Sequence, residues 1–312
     1  MQHCKLRHVG VSRSLGKSRR SVSDATLLEL GAHGAAIVTL NVADDRFVTT
    51  VSPMAASLRK LDASGDSGIG DHGLAQATRI VELNASYNEK IRTVAPFASS
   101  LLKIEARGEC GIDDAGLAQA TRIVELSASY NDKIRTVVTF AASLRKLRAA
   151  DGCGIDDVGL AQATRIAELN AYDNSKIRTV APFARSLRKL DASGMECGID
   201  DAGLARATGI VELDAFANAK IRTVAPFASS LRKLNAGGFC GIDDAGLAQA
   251  TRIVQLRAPY NHKICTVAPF AASLRKLDAC GDCGIDDDGL AQATRIVVLD
   301  AEDNKKIYTV VQ

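Results

Sequence analysis

From Leu58 onward the chain is one passage copied several times, and a fixed self-similarity of this length outranks any local helix or strand signal. Close variants begin at Leu58, Leu101, Leu144, Leu187, Leu231 and Leu274, a period of 43 residues stretched once by an extra residue near Met195. Each period splits in two, with the second half starting at Ile80, Ile123, Ile166, Ile210, Ile253 and Ile296. Both halves carry the frame L/I-x-x-L-x-A, then a polar or Cys position, then Ile. A unit this short cannot bury an apolar face alone, so the copies must stack into a solenoid. Counting the segment IVTLNVADDRFV from Ile37 with the six pairs gives thirteen units.

Alternation tells which side chains meet. Aliphatic positions of L-x-x-L-x-A face inward, and the x positions face out on a parallel sheet along one side of the coil. The sixth position from Leu58 onward is always Ala, from Ala63 through Ala171 to Ala301, so opposite walls are expected to approach closely there. In the first half, Asp113 or Asp114 is placed to cap a short helix that turns Leu117 and Ala120 inward. In the second half, T-V-A-P-F at residues 93–97 puts Val94 and Phe97 inward, with Pro96 fixing a tight turn. Pro182, Pro226 and Pro269 repeat that turn, and Thr139 replaces the proline once, which is expected to loosen it locally.

The frame resembles the leucine-rich repeat, a short strand L-x-x-L-x-L followed by a buried Asn or Cys and another aliphatic residue. IVELNASYNEKI, at residues 80–91, carries Asn88 at the buried polar place, and Asn131, Asn174, Asn218, Asn261 and Asn304 recur there. The first half, such as LLKIEARGECGIDDAGLAQA at residues 101–120, resembles the cysteine-containing subclass of F-box proteins and ribonuclease inhibitors. It differs in having Asp for Thr after the Ile and the Cys one place displaced. The resemblance covers residues 37–312 and implies an α/β solenoid, with a curved parallel sheet on the concave side and short helices and turns on the convex side. It also implies a non-enzymatic scaffold that binds a partner protein through the concave sheet and adjoining rim.

Composition fits a thin, layered core. Apolar residues make up 46% of the 312, yet Trp is absent and aromatics are 4%, so Leu, Ile, Val and Ala must fill the interior. No apolar run is long enough to span a membrane, and the start lacks the apolar segment of a secretory signal. Residues 1–20 carry Lys5, Arg7, Arg13, Lys17, Arg19 and Arg20 with no acid, while the remainder holds 33 basic against 36 acidic groups. They are read as a basic, disordered tail, residues 21–36 as a degenerate capping unit with Asp24 at a helix start, and residues 37–312 as the solenoid. An anion or nucleic-acid contact through the tail is the alternative role.

Cysteine usage follows the repeats. Cys110, Cys153, Cys197, Cys240 and Cys283 share one place in successive periods, with Ser67 in the earliest. Same-type units lie two coils apart, about 10 Å, too far for a disulfide. They are expected to be buried and reduced, which points to an intracellular, cytoplasmic protein. Cys280 and Cys283 form a lone C-x-x-C without the second pair that zinc requires, and the Asp pairs after Gly-Ile lack the glycine-rich spacing of calcium loops. No metal or cofactor is expected. The five histidines share no repeat position, and no nucleophile elbow, phosphate loop or zinc-protease motif occurs, so no catalytic residue is assigned.

Two surfaces remain for partners. Along position three the outward face reads Lys60, Glu82, Lys103, Glu125, Lys146, Glu168, Lys189, Glu212, Lys233, Gln255 and Lys276, a ladder of alternating sign. It largely neutralises itself and speaks against a nucleic-acid groove, although Arg59, Arg145, Arg188, Arg232 and Arg275 beside it leave a positive excess. Positions that differ among the copies cluster at place five and just beyond place six. From these, Tyr87, Arg107, Tyr130, Arg148, Tyr172, Phe216, Arg257 and Tyr260 are the candidate contacts for an unidentified protein, being the residue types that anchor partners. The last unit lacks the Pro-Phe turn and a polar cap, so a structural array that associates with itself through that edge is a further alternative.

Overall fold

The computed structural model describes the backbone of residues 8–10 and residues 22–308 with their side chains. The chain forms two compact units, residues 1–162 and 163–312. The first holds strands β1 His8–Gly10, β2 Thr39–Asn41, β3 Lys60–Asp62, β4 Glu82–Asn84, β5 Lys103–Glu105, β6 Glu125–Ser127 and β7 Lys146–Arg148. With them come helices α1 Asp24–Ala32, α2 Asp71–Leu74 and α3 Asp157–Leu160. The second holds β8 Glu168–Asn170, β9 Lys189–Asp191, β10 Glu212–Asp214, β11 Lys233–Asn235, β12 Gln255–Arg257, β13 Lys276–Asp278 and β14 Val298–Asp300, with α4 Asp201–Leu204, α5 Asp244–Leu247 and α6 Asp287–Leu290. Within each unit every strand pairs in parallel with its sequence neighbour.

Each strand is three residues long because only positions three to five lie in the ladder. Equivalent positions stay in register, with Leu61 opposite Leu83 and Leu83 opposite Ile104 in the first unit, and Leu213 opposite Leu234 in the second. Position four is therefore a continuous aliphatic stripe, and position six closes it from the side. Ala63, Ala85, Ala171, Ala192 and Ala215 have no solvent exposure, and Ala301 in the last coil is half-buried.

The second-half return paths are built as the residue pattern predicts, whereas residues 114–119, expected as a short helix, form a turn in which Asp113 Oδ1 accepts from Gly116 N–H at 2.8 Å. Ala95–Phe97, Ala181–Phe183, Ala225–Phe227 and Ala268–Phe270 are single 3-10 turns with proline in their first positions, and their phenylalanines are fully buried. Where Thr139 replaces the proline, Val138–Phe140 forms the same 3-10 turn, with Phe140 buried. Packing of the phenylalanine thus suffices to hold the turn without the ring constraint.

The first-half return packs backbone against backbone. A Cβ at Gly116 would stand 2.0 Å from the carbonyl oxygen of Arg92, and one at Gly203 2.0 Å from that of Arg178, so only glycine fits. The preceding aspartates divide two tasks that the sequence reading gave to one residue. Asp156, Asp200, Asp243 and Asp286 each accept from the N–H three residues on at 2.8 Å and cap the short helix. The next aspartate reaches the following coil: Asp114 accepts from Arg135 and Thr136 N–H, and Asp201 from Arg222 and Thr223 N–H, at 2.9 to 3.2 Å.

Two expectations at the beginning of the chain change. The cap of α1 is Ser23, whose Oγ accepts from Thr26 N–H, while Asp24 takes the cross-coil task and accepts from Thr49 and Thr50 N–H. His8–Gly10, within the segment read as a disordered tail, pairs as β1 with β2, and the rest of residues 1–21 lies outside the described residues. Ala171 gives a test of the core: replacing it with Leu should overpack the wall and lower stability by about 1–3 kcal/mol, read as a fall in Tm. An unchanged Tm would contradict its inward placement.

Candidate functional site

Beyond position six each coil must turn out of the sheet, and that turn forces one residue into the left-handed region. In second-half coils it is Tyr87, Tyr130, Asp173, Ala217, Tyr260 and Asp303, with φ between 52° and 62°. First-half coils use glycine instead, as at Gly108, Gly238 and Gly281. A bulky aromatic is an uncommon choice there, since its Cβ crowds the carbonyl that glycine or aspartate tolerates. The tyrosines nevertheless stay on the surface, with Tyr87 and Tyr130 each 58% and Tyr260 61% exposed.

Glycine in the next coil is the floor on which the ring lies. A Cβ at Gly108 would meet the Tyr87 ring at 2.2 Å, and one at Gly281 would meet Tyr260 at the same distance. Phe216 rests in the same way against Gly237 and Gly238. Tyr172 and Phe216, in the second unit, stand one residue before the left-handed position. In the first unit Tyr87 and Tyr130 line an open cavity of about 710 Å³ together with Asp66, Glu89, Lys90, Gly108 and Glu109. Its lining combines two aromatic rings with three carboxylates and one ammonium group.

The candidate arginines do not all face outward as open charges. Arg107 pairs with Glu105 at 2.5 Å, and Arg257 pairs with Asp278 at 3.2 Å, whereas Arg148 is exposed on β7. On the sheet face, Lys60 meets Glu82 at 2.7 Å, and Glu212 sits between Lys189 at 3.4 Å and Lys233 at 2.6 Å. Lys233 donating to Glu212 is the main reason that carboxyl lies below its ordinary range. One place behind, burial raises the carboxyl of Asp191, against hydrogen bonds from Ser193 that lower it and with Asp214 on the next strand raising it further. Exposed pairs of this kind each contribute a few tenths of a kcal/mol.

Cys110, Cys153, Cys197, Cys240 and Cys283 are buried at the start of the first-half return, and no disulfide joins them. Burial pushes the thiols of Cys110, Cys197 and Cys240 up to about 11, and raises Cys283 as well. They are space-filling groups with a weak donor, as Cys197 Sγ shows by reaching Ala171 O at 3.5 Å. Among the described residues, Asp278, Cys280 and Asp300 are the one group with metal-ligand atoms within 4.8 Å of one another. Cys280 Sγ lies 2.9 Å from Asp300 Oδ1, and desolvation followed by these carboxylates holds its thiol protonated up to about 12. Asp278 is in turn paired to Arg257 at 3.2 Å.

Coils of a three-residue strand, a buried Asn or Cys turn and a helical return define the leucine-rich-repeat solenoid, and that is the fold of this chain. Its structure is similar to an internalin, inlF, from Listeria monocytogenes, at a TM-score of 0.65 and 19% identity over 93% of this chain and 85% of that one. It is also similar to the functional domain of InlJ from Listeria monocytogenes, described as including a cysteine ladder, at a TM-score of 0.51 and 17% identity. That match covers 89% of this chain and 65% of the InlJ chain. No protein-family model matches the sequence, and no curated protein does. Among the described residues, no helix is long and apolar enough to cross a membrane.

Thiol chemistry provides the check on this site. In native protein at neutral pH, iodoacetamide should modify the exposed Cys265 and spare Cys110, Cys197 and Cys240, which should react only after denaturation, as peptide mass mapping would show. Alkylation of Cys110 in the folded state at the rate of Cys265 would contradict their burial as thiols.

Proposed function

We propose that this protein is a non-enzymatic scaffold that holds a partner protein through its sheet face and the adjoining aromatic rim. Support comes first from Tyr87, Tyr130 and Tyr260, which occupy left-handed positions that Asp173, Asp303 or glycine fills at less cost in other coils. Backbone strain kept at an exposed aromatic is the pattern found where a surface is used. The rings of Tyr87 and Tyr260 also pack against Gly108 and Gly281 of the next coil, so they lose little conformational freedom when a partner docks.

Charge on the sheet face suits specificity more than affinity. Lysines and glutamates that already pair across strands can exchange partners with those of an incoming protein, which fixes register at small net gain. In the first unit Arg148 is exposed and without an ion pair among the described residues, and in the second unit Tyr172 and Phe216 add exposed rings beside Tyr260.

Substitution to glycine separates binding from folding. Tyr87→Gly with Tyr130→Gly and Tyr260→Gly should fold with an equal or higher Tm, each change relieving up to about 1 kcal/mol of left-handed strain. The same protein should lose the proteins that intact chain retains in a quantitative pull-down. Retention of the same set by the glycine variant, and by one with Ala at Tyr172, Phe216 and Tyr260, would refute the rim as the contact.

A further inference from the structure

The edge of the second unit where strands begin carries a basic surface that lies at the other end of the strands from the tyrosines. Arg232 and Arg275 stand at the second position of their coils, and Arg252 and Arg295 directly precede Ile253 and Ile296 in the coils between. Arg252 and Arg295 are exposed, Arg232 and Arg275 are half-buried, and none of the four forms an ion pair among the described residues. No Asp or Glu occurs between residues 245 and 277 or between 289 and 299, so nothing in the flanking turns offsets them.

The sheet face changes at the same place. In four second-half coils position three is glutamate, namely Glu82, Glu125, Glu168 and Glu212, and it balances the lysines beside it. In the last two it is Gln255 and Val298. The register places Lys276 between those two residues, which leaves its ammonium exposed and without an ion pair among the described residues. Five cations, Arg232, Arg252, Arg275, Lys276 and Arg295, therefore gather over consecutive coils. Several cations without counter-charge repel one another, and an anion relieves that repulsion.

The arginines are held ready for it. Arg232 Nη1 donates to Ser229 O at 3.1 Å and Leu231 O at 2.9 Å, and Arg275 Nη1 donates to Ala272 O at 3.4 Å and Leu274 O at 2.9 Å. One nitrogen of each guanidinium is thus tied to backbone, and the remaining N–H groups are open to a carboxylate. Arg232 and Arg275 belong to coils two apart, about 10 Å by strand spacing. An extended polypeptide in the polyproline II form brings every third residue to one face about 9 Å apart, close to that separation. No aromatic side chain belongs to this group to stack a base, as binding of a single nucleic-acid strand would favour.

We infer that this edge is a second interaction surface, for an acidic stretch of polypeptide carrying Asp or Glu at roughly every third residue. It is separate from the aromatic rim and stands or falls independently of it. The test uses the full chain and a fluorescent deca-glutamate peptide, followed by anisotropy at low salt, with a decathymidylate as comparison. Gln255→Glu with Val298→Glu restores the charge ladder that the other coils carry and should weaken peptide binding at least about fivefold, as should Arg252→Glu at an exposed position. The glycine variants of the tyrosines should leave it unchanged. Absence of peptide binding by the intact chain, undiminished binding by both charge variants, or binding of the oligonucleotide as tight as that of the peptide would overturn the assignment.

Discussion

The structure depends on one buried side-chain amide per pair of coils. Asn88 donates through Nδ2 to Ala63 O at 2.7 Å and Ile69 O at 3.1 Å, and its Oδ1 accepts from Lys90 N–H at 2.9 Å. Asn131, Asn218, Asn261 and Asn304 repeat the same three bonds. Two of the three bonds reach into the preceding coil. A strand of three residues leaves most backbone groups of its coil outside the ladder, and groups buried without partners would cost more than the strand gains. Backbone bonds between coils supply many of those partners, and the asparagine supplies three that the backbone does not.

It also accounts for the period of 43 residues where a coil has about half that. First-half coils have Cys or Ser at the turn, which fills space but donates weakly. Their orphan carbonyls are taken by the asparagine of the next coil, while Lys133 Nζ donates to Cys110 O at 3.2 Å and Lys220 Nζ to Cys197 O at 2.8 Å. A cysteine coil is therefore incomplete without the asparagine coil that follows, and the pair is the unit that repeats. Serine adds a second stitch along the return path: Ser100 Oγ donates to Ile80 O at 2.7 Å and Ser230 Oγ to Ile210 O at 2.8 Å.

Much of this was legible in the sequence because copies of one passage reveal which positions are invariant to context. The inward leucines and alanines and the Pro-Phe turn follow from alternation and spacing, and the buried asparagines from the resemblance to the leucine-rich repeat. What escaped were bonds between coils, since spacing within one copy says nothing of its neighbour. Asp201 looks like half of a redundant pair until its two backbone donors in the next coil are seen. The left-handed conformation of the tyrosines escaped for the opposite reason: local propensity argues against Tyr at such a φ. The arginine edge was visible only as a positive excess. Its isolation from acids depends on which lysine stands beside which glutamate, and that is set by register.

The central claim is that a single amide joins each coil pair, and Asn218 tests it most directly. It is fully buried and serves Ala192 O, Ile199 O and Lys220 N–H. Asn218→Ala should cost about 2–4 kcal/mol in urea unfolding and should speed amide hydrogen exchange first in the coils on either side of it. Wild-type stability with unchanged exchange in those coils would contradict the account.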